Sequence, residues 1–229
     1  VFKNIHRLLK TESFFCFEVG YFVKVLENNY FDTIYHEHLD YHHAKPLVKF
    51  LVKLGFSIVN ISTNKIQGGS IRILCKKNEE SKIYLQPKNF LLKERKTIIN
   101  NKIFIKNWNK HINDNAKLFE KMIKSYSKEG KRIIGYGAPT KATLLIKISN
   151  LKKNIISGII EDNVLKVGRF MPQTDIPIIN FDKKSISSCD VIIIFAWNFF
   201  NDIIKRLKKN KISGITVVIP LPKIRVIHL

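Results

Sequence analysis

The sequence predicts an α/β fold built from two sheet-bearing parts, and three features of its hydrophobic pattern support this class. Short apolar segments of strand length alternate with helical segments over residues 131–229, which is typical of a parallel sheet covered by helices on both faces. Residues 1–76 contain a strand, a helix and two further strands in that order. Residues 77–130 are charged and show helical periodicity. We therefore expect three regions, with boundaries at residues 76 and 130.

The first region combines helical segments with strands of aromatic-rich, apolar composition. Gly55 ends the longer helical segment, and Pro46 fits within that segment's first turn. Gly68 and Gly69 provide the turn between the last two strands. The predicted elements are a helix at 2–10, a strand at 13–19, a polar loop at 26–41, a helix at 44–54, and strands at 56–62 and 70–76.

The second and third regions differ in their periodicity. Apolar residues recur every three or four positions over residues 90–126, with Lys and Asn between them, which predicts one long, solvated helix. In the third region the apolar runs are short and lie between helical segments. The elements predicted there are strands at 132–136, 155–160, 176–179, 190–197 and 215–219, and helices at 141–148 and 201–209.

The composition excludes several classes of protein. Of the 229 residues, 45% are hydrophobic and 25% are charged, which excludes a disordered chain and is enough for a sizeable core. The net charge of +22 would suit nucleic acid, but no sequence pattern of a nucleic-acid-binding fold accompanies it, so we expect no such partner. No run of eighteen apolar residues occurs, so we expect no membrane partner. Three widely spaced cysteines without a CxxC favour a cytoplasmic location.

The most informative segment is the run from Tyr35 to His43, in which His, Glu and Tyr side chains are concentrated. His36, His38, His42 and His43 could supply metal ligands, but no cysteine or carboxylate pattern defines a zinc geometry, so we expect no metal here. A purely structural loop is the plainer alternative. We favour acid–base chemistry, because these residue types together cover the range of pKa values that proton abstraction near neutral pH requires.

Two further motifs lie at the carboxyl ends of predicted strands. The loop Gly135-Tyr136-Gly137-Ala138, with Lys141 behind it, follows a strand and opens a helix, where backbone N–H groups can hold phosphate. A tight strand-to-helix turn is the alternative. Glu161-Asp162-Asn163 ends the next strand, where a dinucleotide-binding fold keeps its ribose-binding acid. Trp197 and Asn198 end a later strand, and the indole can stack on a sugar or base or belong to the core.

Further segments accompany these motifs: Phe17-Glu18-Val19, Leu26-Glu27-Asn28-Asn29, residues 31–39, Gly68-Gly69-Ser70-Ile71-Arg72, residues 135–142, Gly168-Arg169-Phe170-Met171-Pro172 and Ala196-Trp197-Asn198-Phe199. In order and spacing, over nearly the whole chain, they resemble the SAM-dependent sugar C-methyltransferases, which act on nucleotide-linked ketosugars in deoxysugar biosynthesis. The resemblance implies that residues 1–76 form the C-terminal strands of a class I, Rossmann-like methyltransferase sheet. Residues 77–130 would be a helical connector, and residues 131–229 a second Rossmann-like domain that binds the sugar nucleotide.

The resemblance also implies the site residues. His38 would be the base that removes a proton beside the ketone, Tyr35 would donate to the enolate oxygen, and Glu37 would orient His38 or bind a sugar hydroxyl. Gln67 and Gly20 stand where the family usually has His and Pro. The residues implied to bind the substrate are Glu18, Tyr21, Gly68, Gly69, Ser70, Gly135, Tyr136, Gly137, Ala138, Lys141, Asp162, Asn163, Arg169, Trp197 and Asn198.

The family's N-terminal zinc module and the glycine-rich SAM loop have no counterpart in this sequence. Val1 would enter just before the fifth strand of the methyltransferase sheet. We therefore expect a truncated chain that is inactive and binds no SAM by itself, with the missing N-terminal half as its partner. Proteolysis is then expected to remove residues 1–76 before residues 131–229. The alternative is a non-catalytic module that binds a nucleotide or sugar nucleotide through residues 131–229 alone.

Overall fold

In a computed structural model of the chain, residues 1–35, 37–183, 186 and 188–229 are described, without the side chain of Gln67. His36, considered above as a metal ligand, lies outside the described residues. The chain packs as two compact units: the first comprises Val1–Tyr30 and His38–Asn107, and the second comprises Phe31–Glu37 and Trp108–Leu229. The three regions expected from the sequence, 1–76, 77–130 and 131–229, were defined by composition and periodicity, whereas these two units are defined by packing. The division into three regions stays a prediction.

The first unit contains a three-stranded sheet. Its third strand lies between the other two and pairs antiparallel with both. The strands are β1 (Phe14–Gly20), β2 (Phe56–Asn64) and β3 (Ser70–Lys77); the helices are α1 (Phe2–Leu8), α2 (Phe22–Glu27), α3 (Ala44–Lys53) and α4 (Leu85–Glu94).

Helix α3 packs on this sheet because its apolar side chains recur at intervals of three and four residues. Ala44, Leu47, Val48 and Leu51 are all buried, and they share one hydrophobic cluster with the buried residues of β2 and β3. Burying each leucine contributes about 1.5–3 kcal/mol relative to leaving it exposed. Gly55, just beyond the helix, has a φ of +94°, a conformation that glycine adopts without strain.

The single helix predicted at 90–126 is wrong. The chain forms α4, a 3₁₀ turn at Ile98–Asn100, and then α5 (Lys102–Lys128). Thr97 Oγ1 donates to the Glu94 carbonyl at 2.7 Å, which ends α4, and the Phe104 N–H donates to Asn101 Oδ1 at 2.9 Å, which caps α5. Thr and Asn side chains compete for backbone hydrogen bonds in this way, so they interrupt a helix that apolar spacing alone would continue.

The second unit contains the Rossmann-like sheet. Its strand order is β6-β5-β4-β7-β8-β9, with the first five strands parallel and β9 antiparallel to β8, which confirms the predicted α/β class. The strands are β4 (Ile133–Tyr136), β5 (Ile159–Ile160), β6 (Ile178–Ile179), β7 (Val191–Ile194), β8 (Thr216–Ile219) and β9 (Arg225–His228); the helices after β4 and β7 are α6 (Ala142–Ile148) and α7 (Phe200–Lys209), and 3₁₀ turns lie at Phe31–Thr33 and Trp197–Phe199.

The chain reverses its direction across this sheet at β4. Strands β5 and β7 lie on opposite sides of β4, so a crevice opens between the loops that follow β4 and β7. Open α/β sheets bind ligands at such a topological switch point. The glycine loop follows β4 and Trp197 follows β7, so both sequence motifs lie at this place, which we call the switch-point crevice.

Candidate functional site

Gly135 in β4 and Gly137 in the loop after it are both required by close packing within the protein. A Cβ atom at Gly135 would lie 2.8 Å from side-chain atoms of both Ile159 and Phe195. At Gly137, where φ is +83°, a Cβ atom would lie 2.3 Å from the Cβ of Ala196. Only glycine therefore lets the loop after β4 approach the loop after β7 this closely. This geometry corresponds to the tight-turn alternative that the sequence left open.

A carboxylate of the chain itself binds the backbone of this loop. Glu161 Oε2 accepts a hydrogen bond from the Ala138 N–H at 2.9 Å. Its Oε1 accepts from the N–H groups of Asp162 and Asn163 at 2.9 and 3.0 Å. Glu161 therefore occupies the anion position at which the sequence predicts a phosphate, and phosphate binding at this loop stays a prediction.

The ionised form of Glu161 is stabilised in this position. Burial raises the pKa of its carboxyl group, but the backbone donors and the Lys166 ammonium together outweigh that effect and hold the pKa below its usual value. Lys166 Nζ lies 3.8 Å from Glu161 Oε2 and also donates to the Ala138 carbonyl at 3.0 Å. The loop and the end of β5 are thus held together by charge-assisted hydrogen bonds.

The other predicted residues around β5 and β7 are mostly exposed. Asp162 pairs with Arg206 at 2.5 Å, and the Arg206 guanidinium lies 4.0 Å from the centre of the Phe181 ring. Tyr136 is buried against the same ring, and burial raises its pKa to about 12. Asn163, Arg169 and Asn198 are exposed, so a ligand could reach their side chains from solvent.

The switch-point crevice contains a buried ion pair that the sequence analysis did not identify. Asp32, in the 3₁₀ turn Phe31–Thr33, is only 2% exposed. Its Oδ2 accepts from Trp197 Nε1 at 2.6 Å and lies 3.4 Å from Lys141 Nζ. The Lys141 ammonium also lies 3.9 Å from the centre of the Trp197 ring, a cation–π arrangement. We call Asp32, Lys141 and Trp197 the anchor cluster.

The charges of this cluster are largely removed from water. Burial raises the pKa of Asp32 and lowers the pKa of Lys141, and the attraction between the two groups opposes both shifts. Breaking such a pair by removing one partner costs about 3–5 kcal/mol, because the remaining charge is left buried. Lys141 and Trp197, predicted to bind substrate, thus bind a carboxylate of the chain itself. The signal for Asp32 was its place in residues 31–39, the segment matched by the resemblance.

The proposed acid–base residues follow this turn. The Tyr35 N–H donates to the Thr33 carbonyl at 3.2 Å, and its side chain is half-buried. Glu37 and His38 are exposed, and the His38 ring lies edge-on to the Tyr41 ring at 6.5 Å. Tyr35 and Glu37 belong to the second unit, whereas His38 belongs to the first.

In the first unit, predicted binding residues lie together where β1 ends and β3 begins. Glu18 is paired in register with Arg72, and its Oε2 accepts from Arg72 Nε and Nη2 at 3.0 and 2.8 Å. Hydrogen bonds from Asn64 and Arg72 hold the pKa of the Glu18 carboxyl group below its usual value. The pair is partly accessible, so it offers a carboxylate and a guanidinium to a ligand.

The Gly68-Gly69-Ser70 turn lies at the same end of the sheet. Gly68 and Gly69 have φ values of +90° and +136°, and a Cβ atom at Gly69 would lie 2.7 Å from the Lys24 side chain. The Gly69 carbonyl accepts from the Tyr21 N–H at 3.0 Å, and Ser70 is buried. The structure therefore brings five of the predicted residues together at this end of the sheet: Glu18, Tyr21, Gly68, Gly69 and Ser70.

Glu94 is a buried carboxylate that the sequence analysis missed. It lies at the end of α4 and accepts hydrogen bonds from four donors: Tyr21 Oη at 2.9 Å, His43 Nδ1 at 3.1 Å, and the Ala44 and Lys45 N–H groups at 2.7 and 3.0 Å. The carboxylate thereby caps the N-terminus of α3. Burial, together with Glu94, raises the pKa of Tyr21, so that its hydroxyl remains a donor.

The described part of the chain contains neither a cluster of metal ligands nor a membrane-spanning helix. Within residues 1–35, 37–183, 186 and 188–229, no group of three or more His, Cys, Asp or Glu side chains is arranged to hold a metal ion. None of the helices described there is both long enough and apolar enough to cross a membrane.

A parallel sheet with a glycine loop at its switch point defines the second unit as a Rossmann-like domain, and comparison with known proteins identifies its family. Residues 65–222 match the family described as the C-methyltransferase C-terminal domain. The chain is also 28% identical over 228 residues to the C-methyltransferase NovU of Streptomyces niveus. This alignment covers 99% of the chain and 54% of NovU, so the chain spans about half the length of that relative. The chain belongs to the C-methyltransferase family, and this confirms the family resemblance inferred from the motifs.

Membership of a methyltransferase family implies SAM as the methyl donor. The glycine loop of the second unit does not fit this group, because Glu161 already binds its Ala138 N–H. The neighbouring crevice does not fit it either, because the Asp32 carboxylate lies between Lys141 and Trp197. We therefore assign no SAM-binding residue to the glycine loop or to the anchor cluster.

Proposed function

We propose that the protein acts in the C-methylation of a nucleotide-linked ketosugar. We further propose that residues of this chain convert the substrate into the enolate that serves as the carbon nucleophile. The observation that carries this proposal is an intact Tyr-x-Glu-His segment, Tyr35 to His38, in a chain that belongs to a C-methyltransferase family. The accessibility of Glu37 and His38 supports it, since a base must reach a substrate that enters from solvent. The nucleotide-linked sugar is proposed from the motifs.

The chemistry follows from the acidity of carbon beside a ketone. His38 removes a proton from that carbon, and the electron pair of the broken C–H bond moves into the carbonyl group to form an enolate. Tyr35 donates a hydrogen bond to the enolate oxygen, and such preorganised donors are usually the largest catalytic contribution. Glu37 orients His38 or binds a sugar hydroxyl. The enolate carbon is the nucleophile that C-methylation requires.

We propose that the substrate's diphosphate and sugar contact the basic and polar residues predicted from the sequence. The Glu18–Arg72 pair and the adjoining Gly68-Gly69-Ser70 turn offer hydrogen-bonding groups in the first unit. Asn163, Arg169 and Asn198 are exposed in the second. The net charge of +22 favours association with a substrate that carries two phosphates.

The decisive experiment measures enolate formation separately from methyl transfer. A dTDP- or UDP-linked 4-ketosugar is incubated with the chain in D₂O without methyl donor, and deuterium uptake beside the ketone is followed by NMR. We expect uptake, and we expect His38→Ala to slow it by about two to four orders of magnitude, the scale of a positioned acid–base group. Methyl transfer is then assayed in a separate reaction with SAM.

The matched control is His111→Ala, because His111 is exposed on α5 and lies outside the proposed site. Calorimetry should show that neither variant changes sugar-nucleotide binding. Uptake that survives His38→Ala within a few-fold would contradict the assignment of the base and would favour His36 or a tyrosine. Binding of the sugar nucleotide without any uptake by the unsubstituted protein would favour the non-catalytic binding module.

A further inference from the structure

We propose that the anchor cluster is a positioning device: Asp32 holds the segment that carries Tyr35 and Glu37 on the second unit, at the crevice where related folds bind a ligand. At the switch-point crevice, the second unit thus binds a turn of its own chain instead of a separate ligand. The catalytic consequence rests on the function proposed above, but the anchoring itself does not.

The first argument is the identity of the group that occupies the crevice. Phe31 and Asp32 are each 2% exposed, and both belong to the second unit although more than seventy residues separate them from its next segment, which begins at Trp108. The Ile34 N–H closes the turn by donating to the Phe31 carbonyl at 3.0 Å. The turn is therefore a buried part of this unit.

The second argument is that the cluster is specific for a carboxylate. A single oxygen, Asp32 Oδ2, accepts from Trp197 Nε1 and faces Lys141 Nζ, while the Lys141 ammonium covers the Trp197 ring. An asparagine at position 32 would keep one acceptor oxygen but would leave the Lys141 ammonium buried without a counter-charge. The Trp197 hydrogen bond needs only an acceptor oxygen, but the ion pair with Lys141 depends on the charge of Asp32.

The third argument is the short distance along the chain to the proposed catalytic residues. Tyr35 follows Asp32 by three residues, and three residues span at most about 10 Å when fully extended. Anchoring Asp32 therefore restricts where the Tyr35 hydroxyl can be placed. A catalytic group displaced by about 1 Å can lose about a hundredfold in rate, so a loose segment would lower turnover without removing a catalytic atom.

The test compares Asp32→Asn with Asp114→Asn, an exposed position on α5, in a Trp108→Phe background. Trp197 is then the sole tryptophan, and its indole N–H resonance reports on the contact with Asp32. We expect Asp32→Asn to shift this resonance and to accelerate amide hydrogen exchange in residues 31–37. Exchange in β7 should remain protected, because the sheet stays folded. The control should leave all three observations unchanged.

Kinetics distinguish positioning from a general structural role. If the proposed function holds, Asp32→Asn should lower kcat for deuterium uptake by about tenfold to a hundredfold, on the scale expected for a small displacement, with little change in KM. Unchanged exchange in residues 31–37, or unchanged kcat once that segment is loosened, would overturn the proposal. Loss of protection throughout the second unit would also overturn it, because the cluster would then be a folding element.

Two further outcomes are informative. Absence of deuterium uptake by the unsubstituted protein would refute the proposed function, and the exchange data would then decide alone whether Asp32 anchors the segment. Addition of millimolar UDP should leave the Trp197 indole resonance in place. A UDP-dependent shift of that resonance, with faster exchange in residues 31–37, would show that Lys141 and Trp197 form a phosphate site and would overturn the anchor.

Discussion

Replacing Glu94 by glutamine tests whether one buried carboxylate organises the first unit. Glu94 is 4% exposed, and its two oxygens accept from four donors. Oε1 serves Tyr21 and the Ala44 N–H, and Oε2 serves His43 and the Lys45 N–H. Glutamine preserves the size of the side chain but replaces one acceptor oxygen with an NH₂ group that can only donate.

The magnitude of the loss follows from these contacts. In the Glu94→Gln variant, the amide oxygen of the new side chain can still serve Tyr21 and the Ala44 N–H, and the His43 ring can change tautomer and accept from the new NH₂ group. The Lys45 N–H, whose hydrogen bond to Glu94 is partly buried, then faces a donor, and leaving such a group unsatisfied costs about 1–3 kcal/mol. The lost interaction between the carboxylate and the N-terminus of α3 adds about 0.3–1 kcal/mol. We therefore expect the free energy of unfolding of the first unit to fall by about 1–4 kcal/mol.

The two units can be followed separately in urea. Trp108 and Trp197 both lie in the second unit, so tryptophan fluorescence reports on that unit, whereas far-UV circular dichroism reports on the whole chain. With a slope of about 2 kcal/mol/M, the expected loss moves the first unit's transition to urea concentrations lower by about 0.5–2 M. The fluorescence transition should stay where it is in the unsubstituted protein.

The matched control is Glu79→Gln, at an exposed position of the same unit. Surface substitutions of this kind usually change stability by less than about 0.5 kcal/mol. If Glu94→Gln behaves like Glu79→Gln, the four hydrogen bonds contribute no net stability and the reasoning is refuted. A shift confined to the fluorescence transition would also refute the reasoning, because the substitution would then destabilise the second unit instead of the first.

Three further predictions concern single positions. Gly137→Ala should destabilise the second unit more than Gly130→Ala does, as measured by tryptophan fluorescence in urea, because both glycines have positive φ but only Gly137 has a neighbouring atom in the way. The lowered pKa of Glu161 predicts that the second unit keeps this stabilisation above the unfolded pKa of about 4.3 and loses it as the pH falls through the folded value; Glu161→Gln should flatten that dependence. Cys16 is exposed and should react with iodoacetamide in the folded chain, whereas burial raises the pKa of the other two thiols to about 12 and about 11, and they should react only on unfolding.

The parts of the fold that could be predicted from the sequence are those in which hydrophobic spacing and burial agree. Helix α3 presents one apolar face every three or four residues, and β7 is a continuous apolar run covered on both sides. The sequence also placed the glycine loop and Trp197 at carboxyl ends of strands, and the topology brings them to one crevice. At these positions the neighbouring residues alone were sufficient to predict the type of element and its place in the chain.

Other features depend on polar side chains or on contacts between distant segments. The break between α4 and α5 was predictable in principle, because Thr97 and Asn101 are residues that end and begin helices. The anchor cluster was not, because Asp32 and Trp197 are 165 positions apart. With 40 basic and 18 acidic residues, no pattern of charge could select Lys141 as the partner of Asp32.

The glycine loop shows why a motif alone does not determine the ligand. A glycine after a strand allows either a phosphate or a second loop to approach the backbone, and both need the same absence of a Cβ atom. An acid at the end of the next strand can hold a ribose hydroxyl or can bind back to the loop. Glu161 does the latter here, and Asp32 fills the neighbouring position. The same glycine motif is therefore satisfied here by two carboxylates of the chain itself, and the motif alone does not distinguish this arrangement from a phosphate site.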